Sequence, residues 1–249
     1  MRQETAATAQ LRDAIVAFEP FNEQEAADKQ IILRALDNDP NCFERSAQAH
    51  MACSIWVVDP TMSQTLLVYH NIYDSWSWIG GHADGERDLE AVALRELQEE
   101  TGVENARIVP VSPGNIYSLE VLTVNGHEKH GAYVSSHLHL NITYLAIADP
   151  SEHTRIKPDE NSGVRWVPIE DAIRLSTEPW IRERIYRKLI DKLDHVKLGP
   201  AAVRARRLKH RKAVQDDKQA ATLQQRYQEP TQPCLQSLLR GKDPSSHWP

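Results

Sequence analysis

Residues 81–103 read Gly81-His-Ala-Asp-Gly-Glu-Arg-Asp-Leu-Glu-Ala-Val-Ala-Leu-Arg95-Glu96-Leu97-Gln98-Glu99-Glu100-Thr101-Gly102-Val103. Asp88 is a capping residue and Gly102 a helix terminator, so residues 88–101 are expected to form one helix. At about 100° per residue, Glu96, Glu99 and Glu100 stand at i, i+3 and i+4 and share a face. Leu89, Val92 and Ala93 begin the same line, so a stripe that starts apolar ends in three carboxylates. Like-charged pairs cost roughly 0.2–0.5 kcal/mol each on an exposed helix and more when desolvated, so positive charge is expected beside them. Arg95 can neutralise one of the three. Hard divalent cations accept several carboxylate oxygens at once, and Mg²⁺ commonly joins one or two carboxylates to substrate phosphates. Ahead of the helix, Gly80, Gly81 and Gly85 allow the backbone to pass close to a phosphate. The pattern points to metal-assisted phosphoryl chemistry.

Outward from this stretch, Ser54–Val58 and Thr65–Tyr69 read as strands, with Asp59-Pro60 between them. Trp76, Trp78 and Ile79 lead into the glycine pair; the two tryptophans share a strand face and are read as core rather than as a platform for a nucleobase. Cys53 is read as a small buried hydrophobe. Further strands are expected at 115–123 and 132–147, separated by Asn125-Gly126, a tight-hairpin dipeptide, and at 163–167. Helices are expected from Glu170 and over 179–196, where Ile181, Ile185, Leu189 and Leu193 recur every four residues. Before the strands, residues 5–39 read as a helical hairpin: Leu11, Ile15 and Phe18 precede Pro20, and Asn22 with Glu25 form a capping box. The mixed order implies an α/β sandwich rather than a regular βαβ repeat.

Charge divides the chain: residues 1–181 hold 13 Lys/Arg against 28 Asp/Glu, net −15, whereas 182–249 hold 16 against 7, net +9. The expected organisation is an N-terminal helical extension (1–48), a catalytic domain (49–197) and a basic C-terminal tail (198–249). Arg204, Arg206, Arg207, Lys209, Arg211 and Lys212 are dense enough to bind polyanions, but no aromatic residues interleave them. A solvated tail is therefore the preferred reading, and nucleic acid is not the expected partner. No apolar run approaches the roughly 18 residues of a membrane span. The start of the chain lacks an apolar secretory core, and three cysteines show neither CxxC nor zinc spacing. A cytoplasmic location, without membrane partners, is expected.

The central stretch resembles the Nudix hydrolases (MutT-like), whose signature is G-x5-E-x7-R-E-U-x-E-E-x-G-U with U a bulky aliphatic. Laid on Gly81, it matches at Arg95, Glu96, Leu97, Glu99, Glu100, Gly102 and Val103; the early glutamate alone is replaced, by Arg87. In the family that glutamate braces the signature arginine, so Glu86 or Asp88 is expected to brace Arg95 here. The likeness extends to Phe18-Glu-Pro-Phe21, Glu25-Ala-Ala-Asp-Lys29, the Gly80-Gly-His-Ala-Asp-Gly85 box and His137-Leu-His139, covering roughly residues 15–195, and is shared with a bacterial subgroup that carries its own N-terminal helices.

The resemblance implies an α/β/α sandwich with a mixed sheet and a Mg²⁺- or Mn²⁺-dependent pyrophosphohydrolase acting on a nucleoside diphosphate linked to another group. It implies Glu96, Glu99 and Glu100 as metal ligands, with Glu96 or Glu99 also orienting water, and Glu160, ahead of Trp166, as a further ligand or general base. Gly80, Gly81, His82, Arg95, His137 and His139 are the candidate substrate-binding residues; His137 and His139 alternate on one strand face. An exposed strand face with locally bonded histidines is an equally weighted reading of that pair, and His50 is left unassigned. An isomerase of the same fold would need a second proton donor–acceptor pair, which is not evident, and a non-catalytic nucleotide-binding module would be expected to lack ligands that are present here. The sequence leaves open whether the N-terminal hairpin covers the cleft or makes a homodimer contact.

Overall fold

The computed structural model describes residues 6–129 and 131–197. The basic tail from 198 onward, its Arg204–Lys212 cluster included, lies outside the described residues. The elements are α1 (Ala6–Ala17), α2 (Glu23–Asn38), β1 (Ala49–Val58), β2 (Gln64–His70), β3 (Ser75–Ser77), β4 (Ile79–His82) and α3 (Leu89–Thr101). They are followed by β5 (Arg107–Ile108), β6 (Ile116–Val124), β7 (His127–Lys129), β8 (Ala132–Val134), β9 (His137–Ile147), β10 (Asn161–Pro168) and α4 (Asp171–Leu175). A last helix, α5, runs over 179–197 and widens to a π-helical turn at Ile181–Tyr186. Among the described residues no helix is long and apolar enough to cross a membrane.

The main sheet runs β10-β2-β1-β9-β5, with β3 on β2, β4 on β1 and β6 on β9. β1 and β9 pair in parallel from Ala49 opposite Leu138 to Val58 opposite Ile147; their other neighbours are antiparallel. The sheet is therefore mixed. Alternation along β1 divides the core: Met51, Cys53, Ile55 and Val57 pack with Ile15, Phe18, Ile32 and the apolar face of α3. Trp56 and Val58 face the other way, against Ile185, Tyr186, Leu189 and Leu193 of α5. Helices thus cover both faces, which is the expected α/β/α sandwich.

The N-terminal hairpin covers the β6 edge of the sheet. Asp28 accepts the Val121 main-chain N–H at 2.9 Å, and Gln24 and Lys188 donate to the Leu119 carbonyl, each at 3.3 Å. An edge strand otherwise leaves these groups unpaired. Behind them Glu25 and Glu120 are fully buried and meet Lys188 and Lys192 of α5.

Asn125-Gly126 does not form the turn expected of it. β6 pairs with β9, Val124 opposite His137, while β7 and β8 pair with each other as a separate ribbon, with Gly131 ahead of β8 at φ 77°. Left-handed backbone is used at Gly131, so the dipeptide opens an excursion instead of closing a hairpin.

Candidate functional site

The carboxylates owe their placement to the ends of α3. Asp88 accepts the Ala91 N–H at 3.1 Å, and Gly102, in the left-handed region at φ 80°, donates its N–H to the Gln98 carbonyl. Leu89, Val92, Ala93 and Leu97 bury the helix against the sheet, and Glu100 continues that face into the interior with 3% exposure. Its Oε1 accepts the Gly80 N–H at 3.2 Å. Burial pushes the Glu100 pKa up to about 8, and the nearby Glu96 and Glu160 add to the rise. Glu96 is also raised, first by desolvation.

Glu96, Glu100 and Glu160 converge, each offering a carboxylate oxygen, with these oxygens all within 4.8 Å of one another. Glu99 stands outside this trio, 46% exposed, with Oε2 3.2 Å from Lys157 Nζ; the same ammonium lies 3.1 Å from Glu160 Oε2. Desolvation opposes the charge on Lys157, but its bonds to Glu160 and Glu99 outweigh it and raise its pKa. The lysine is a stand-in cation, and three hard oxygens around a negative concentration are the donor set that Mg²⁺ or Mn²⁺ takes. The residues fit such an ion.

Two residues that sequence reasoning missed hold the Glu160 loop. Asn161, fully buried, donates to the Glu100 carbonyl at 3.0 Å and accepts the Lys157 N–H at 3.3 Å. Arg155 donates its main-chain N–H to the Thr101 carbonyl at 2.8 Å. These bonds lock residues 155–161 to the end of α3. The signal was only their closeness in sequence to Glu160.

The glycine pair is packed too closely for side chains. A Cβ on Gly81 would collide with the Glu96 carboxylate, and one on Gly80 would come within 2.5 Å of the Cys53 carbonyl oxygen. Arg87, at the departure from the signature, turns its guanidinium over the Phe43 ring at 4.3 Å and donates to the Gly85 carbonyl. Asp88 is engaged as the cap, whereas the Glu86 carboxyl is held low by the Arg87 and Asp88 N–H groups and by the charge of Arg95. Glu86 feels the charge of Arg95, which is exposed on the helix surface.

On the other face, a cavity of about 150 Å³ is lined by Ser54, Trp78, Gly80, Gly81, His139 and Tyr186, among others. A second, of about 370 Å³, is lined by Arg45, His50, Tyr73, His82, His137 and His139, among others. Trp76 and Trp78 are half-buried and pack against the α5-side core, as expected: Arg165 lies 4.1 Å over the Trp76 ring, and Trp78 also borders the smaller cavity. Cys53 is buried, as expected, with its thiol pushed up to about 12 by desolvation.

His82, His137 and His139 come together, joined by His50. His139 Nε2 lies 3.0 Å from His82 Nε2 and 3.1 Å from His137 Nε2. Burial, with the neighbouring histidines, pushes His139 down to about 2, so its ring is neutral.

Residues 49–189 match the sequence profile of the NUDIX domain. Among solved structures, the Ap4A hydrolase of C. elegans in a binary complex is 20% identical, covering 60% of this chain and 98% of that chain at a TM-score of 0.42. A NUDIX-family hydrolase from Clostridium perfringens is 21% identical, covering 59% of this chain and 97% of that one at 0.42. The E. coli dihydroneopterin triphosphate pyrophosphohydrolase is 12% identical, covering 57% and 95% at 0.44. No curated protein matches. The domain match spans more than half of the sequence and contains the whole glycine–glutamate stretch, and on that ground this chain belongs to the NUDIX family.

Proposed function

We propose that this Nudix hydrolase cleaves a pyrophosphate linkage in a nucleoside diphosphate joined to another group, with Mg²⁺ or Mn²⁺ held by Glu96, Glu100 and Glu160. The observation that carries the reading is the convergence of these three carboxylates from α3 and the 157–161 loop. A divalent ion there supplies positive charge to phosphate oxygens and lowers the pKa of water. The chain does the rest. Gly80 and Gly81 let the main chain run against Glu100 and Glu96, holding the substrate-facing strand beside the acids. Glu99, which reaches solvent beside Lys157, takes the role of orienting an attacking water and accepting its proton. Arg95 adds positive charge near Glu96. Trp78, at the edge of the smaller cavity, is offered to the nucleoside side.

The test is phosphate release with a coupled phosphatase over nucleotide sugars, ADP-ribose, dinucleoside polyphosphates and nucleoside triphosphates, with Mg²⁺ or Mn²⁺. Glu96→Gln and Glu160→Gln are expected to lower turnover by roughly 10²-fold or more, the scale of removing one preorganised electrostatic group. Wild-type turnover in both would end this assignment.

A further inference from the structure

We propose that His50, His82, His137 and His139 form a second metal centre, specific for Zn²⁺ and separate from the carboxylates. One ring nitrogen from each lies within 4.8 Å of the others. The register of three strands makes the cluster. His50 stands opposite His139 across the parallel β1–β9 pair, His82 pairs with Ala52 two residues from His50, and His137 precedes His139 by two on the same face of β9. Ring centroids of His50 lie 5.2, 4.9 and 5.2 Å from those of His82, His137 and His139.

Proton accounting makes this a site for a cation. His50 Nδ1 lies 2.8 Å from the Ala47 carbonyl oxygen, and His137 Nδ1 lies 2.8 Å from that of Ser135. A carbonyl only accepts, so each Nδ1 carries a proton, and Nε2 is the nitrogen each ring has left to offer a cation. That is the tautomer a metal-ligating histidine adopts when a backbone carbonyl holds its other nitrogen. His50 is 2% exposed, and its Nε2 is buried without a hydrogen-bond partner. His139 Nε2 faces two further Nε2 atoms, at 3.0 and 3.1 Å, and one N–H can serve only one of them. Ligands of a tetrahedral Zn²⁺ at about 2.0–2.1 Å stand about 3.3 Å apart, close to these separations. Four imidazoles favour a borderline ion over Mg²⁺, which prefers oxygen. A centre here would pin the Gly80-Gly81-His82 strand to β1 and β9, next to the carboxylates but sharing no ligand with them.

The inference does not depend on the proposed hydrolysis, and its test is separate. The full chain is stripped with chelator and titrated with Zn²⁺ in excess Mg²⁺, followed by metal analysis and by zinc-edge X-ray absorption. One Zn²⁺ per chain is expected, with imidazole nitrogens as the main shell, and Co²⁺ in its place should give the intense visible bands of tetrahedral coordination. His50→Gln and His139→Gln should each weaken Zn²⁺ binding at least 10-fold, the scale of losing one ligand or its support, while His153→Asn, at an exposed histidine elsewhere, should retain it. If either variant does not fold, the wild-type absorption spectra decide. No stoichiometric zinc, an oxygen-dominated shell, octahedral Co²⁺, or zinc retained in both variants would each overturn the assignment.

Discussion

The main-chain N–H of Gly80 donates to Glu100 Oε1 across 3.2 Å, joining the glycine strand to the glutamate helix at the point where the acids converge. Glu100 pays for this position in solvation: burial lifts its pKa to about 8. A raised carboxyl stabilises the fold fully below its unfolded pKa, and that contribution is lost as pH rises through the folded value. Metal-free protein should therefore lose thermal stability from about pH 4.5 to about pH 8. Glu100→Gln, which resembles the protonated acid, should flatten this slope and raise Tm at the alkaline end, while weakening Mg²⁺ binding at least 10-fold by calorimetry, about 1.4 kcal/mol.

Lys157 Nζ lies between Glu99 and Glu160, at 3.2 and 3.1 Å, where it offsets repulsion that an ion would otherwise relieve. Lys157→Met removes both the competitor and one positive charge. Calorimetry should show Mg²⁺ or Mn²⁺ binding several-fold tighter, and the metal-free protein should melt lower than wild type.

These two cases show what could be read in advance. The run from Asp88 to Gly102 carries its own cap, period and terminator, so α3 and the glutamate spacing were legible from local residues. Lys157 and Asn161 were not, because their value lies in bonds to Glu99 and to the Glu100 carbonyl, some 60 residues back in the chain. The Glu99 position shows the limit of helical arithmetic. Glu96, Glu99 and Glu100 share a face, yet the buried edge of that face takes Glu100 inward and leaves Glu99 at the rim, and Glu160 completes the trio. His50 carried no local sign, since its companions arrive through pairing of β1 with β4 and β9. Asn125-Gly126 misled because a dipeptide reports turn preference and not which strands will pair across it.

Asp59, 5% exposed, closes the turn between β1 and β2 by accepting the N–H groups of Thr61, Ser63 and Gln64 at 3.0, 2.7 and 2.6 Å. Desolvation opposes its charge, but the bonds from Thr61, Gln64 and Ser63 prevail and hold its pKa near about 2. A depressed carboxyl contributes stability above its unfolded pKa that is lost as pH falls through the folded value. Asp59→Ala should cost about 2 kcal/mol near neutrality by denaturant unfolding. The gap between the two proteins should shrink as pH falls from about 4 toward about 2.

The buried charges at the β6 edge separate the worth of an ion pair from the cost of breaking it. Glu25 Oε1 lies 2.8 Å from Lys192 Nζ and also accepts from Ser118; Glu120 Oε1 lies 2.8 Å from Lys188 Nζ. Desolvation works against the Glu25 carboxylate, but Lys192 and Lys188 overcome it and lower its pKa, so its contribution is present at neutral pH and fades in acid. For Lys192 burial prevails over the attraction of Glu25, and its pKa falls. Removing one partner strands a lysine in the interior, so Glu25→Ala should cost about 3–5 kcal/mol by denaturant unfolding. A double variant, Glu25→Met with Lys192→Met, leaves no uncompensated charge at that contact and should recover a large part of the loss. A cycle through Glu25→Met, Lys192→Met and the double variant in which the double is as unstable as the sum of the singles would show that the hydrogen bond of Ser118 to Glu25, rather than the pairing of charge, holds α2 to the sheet edge.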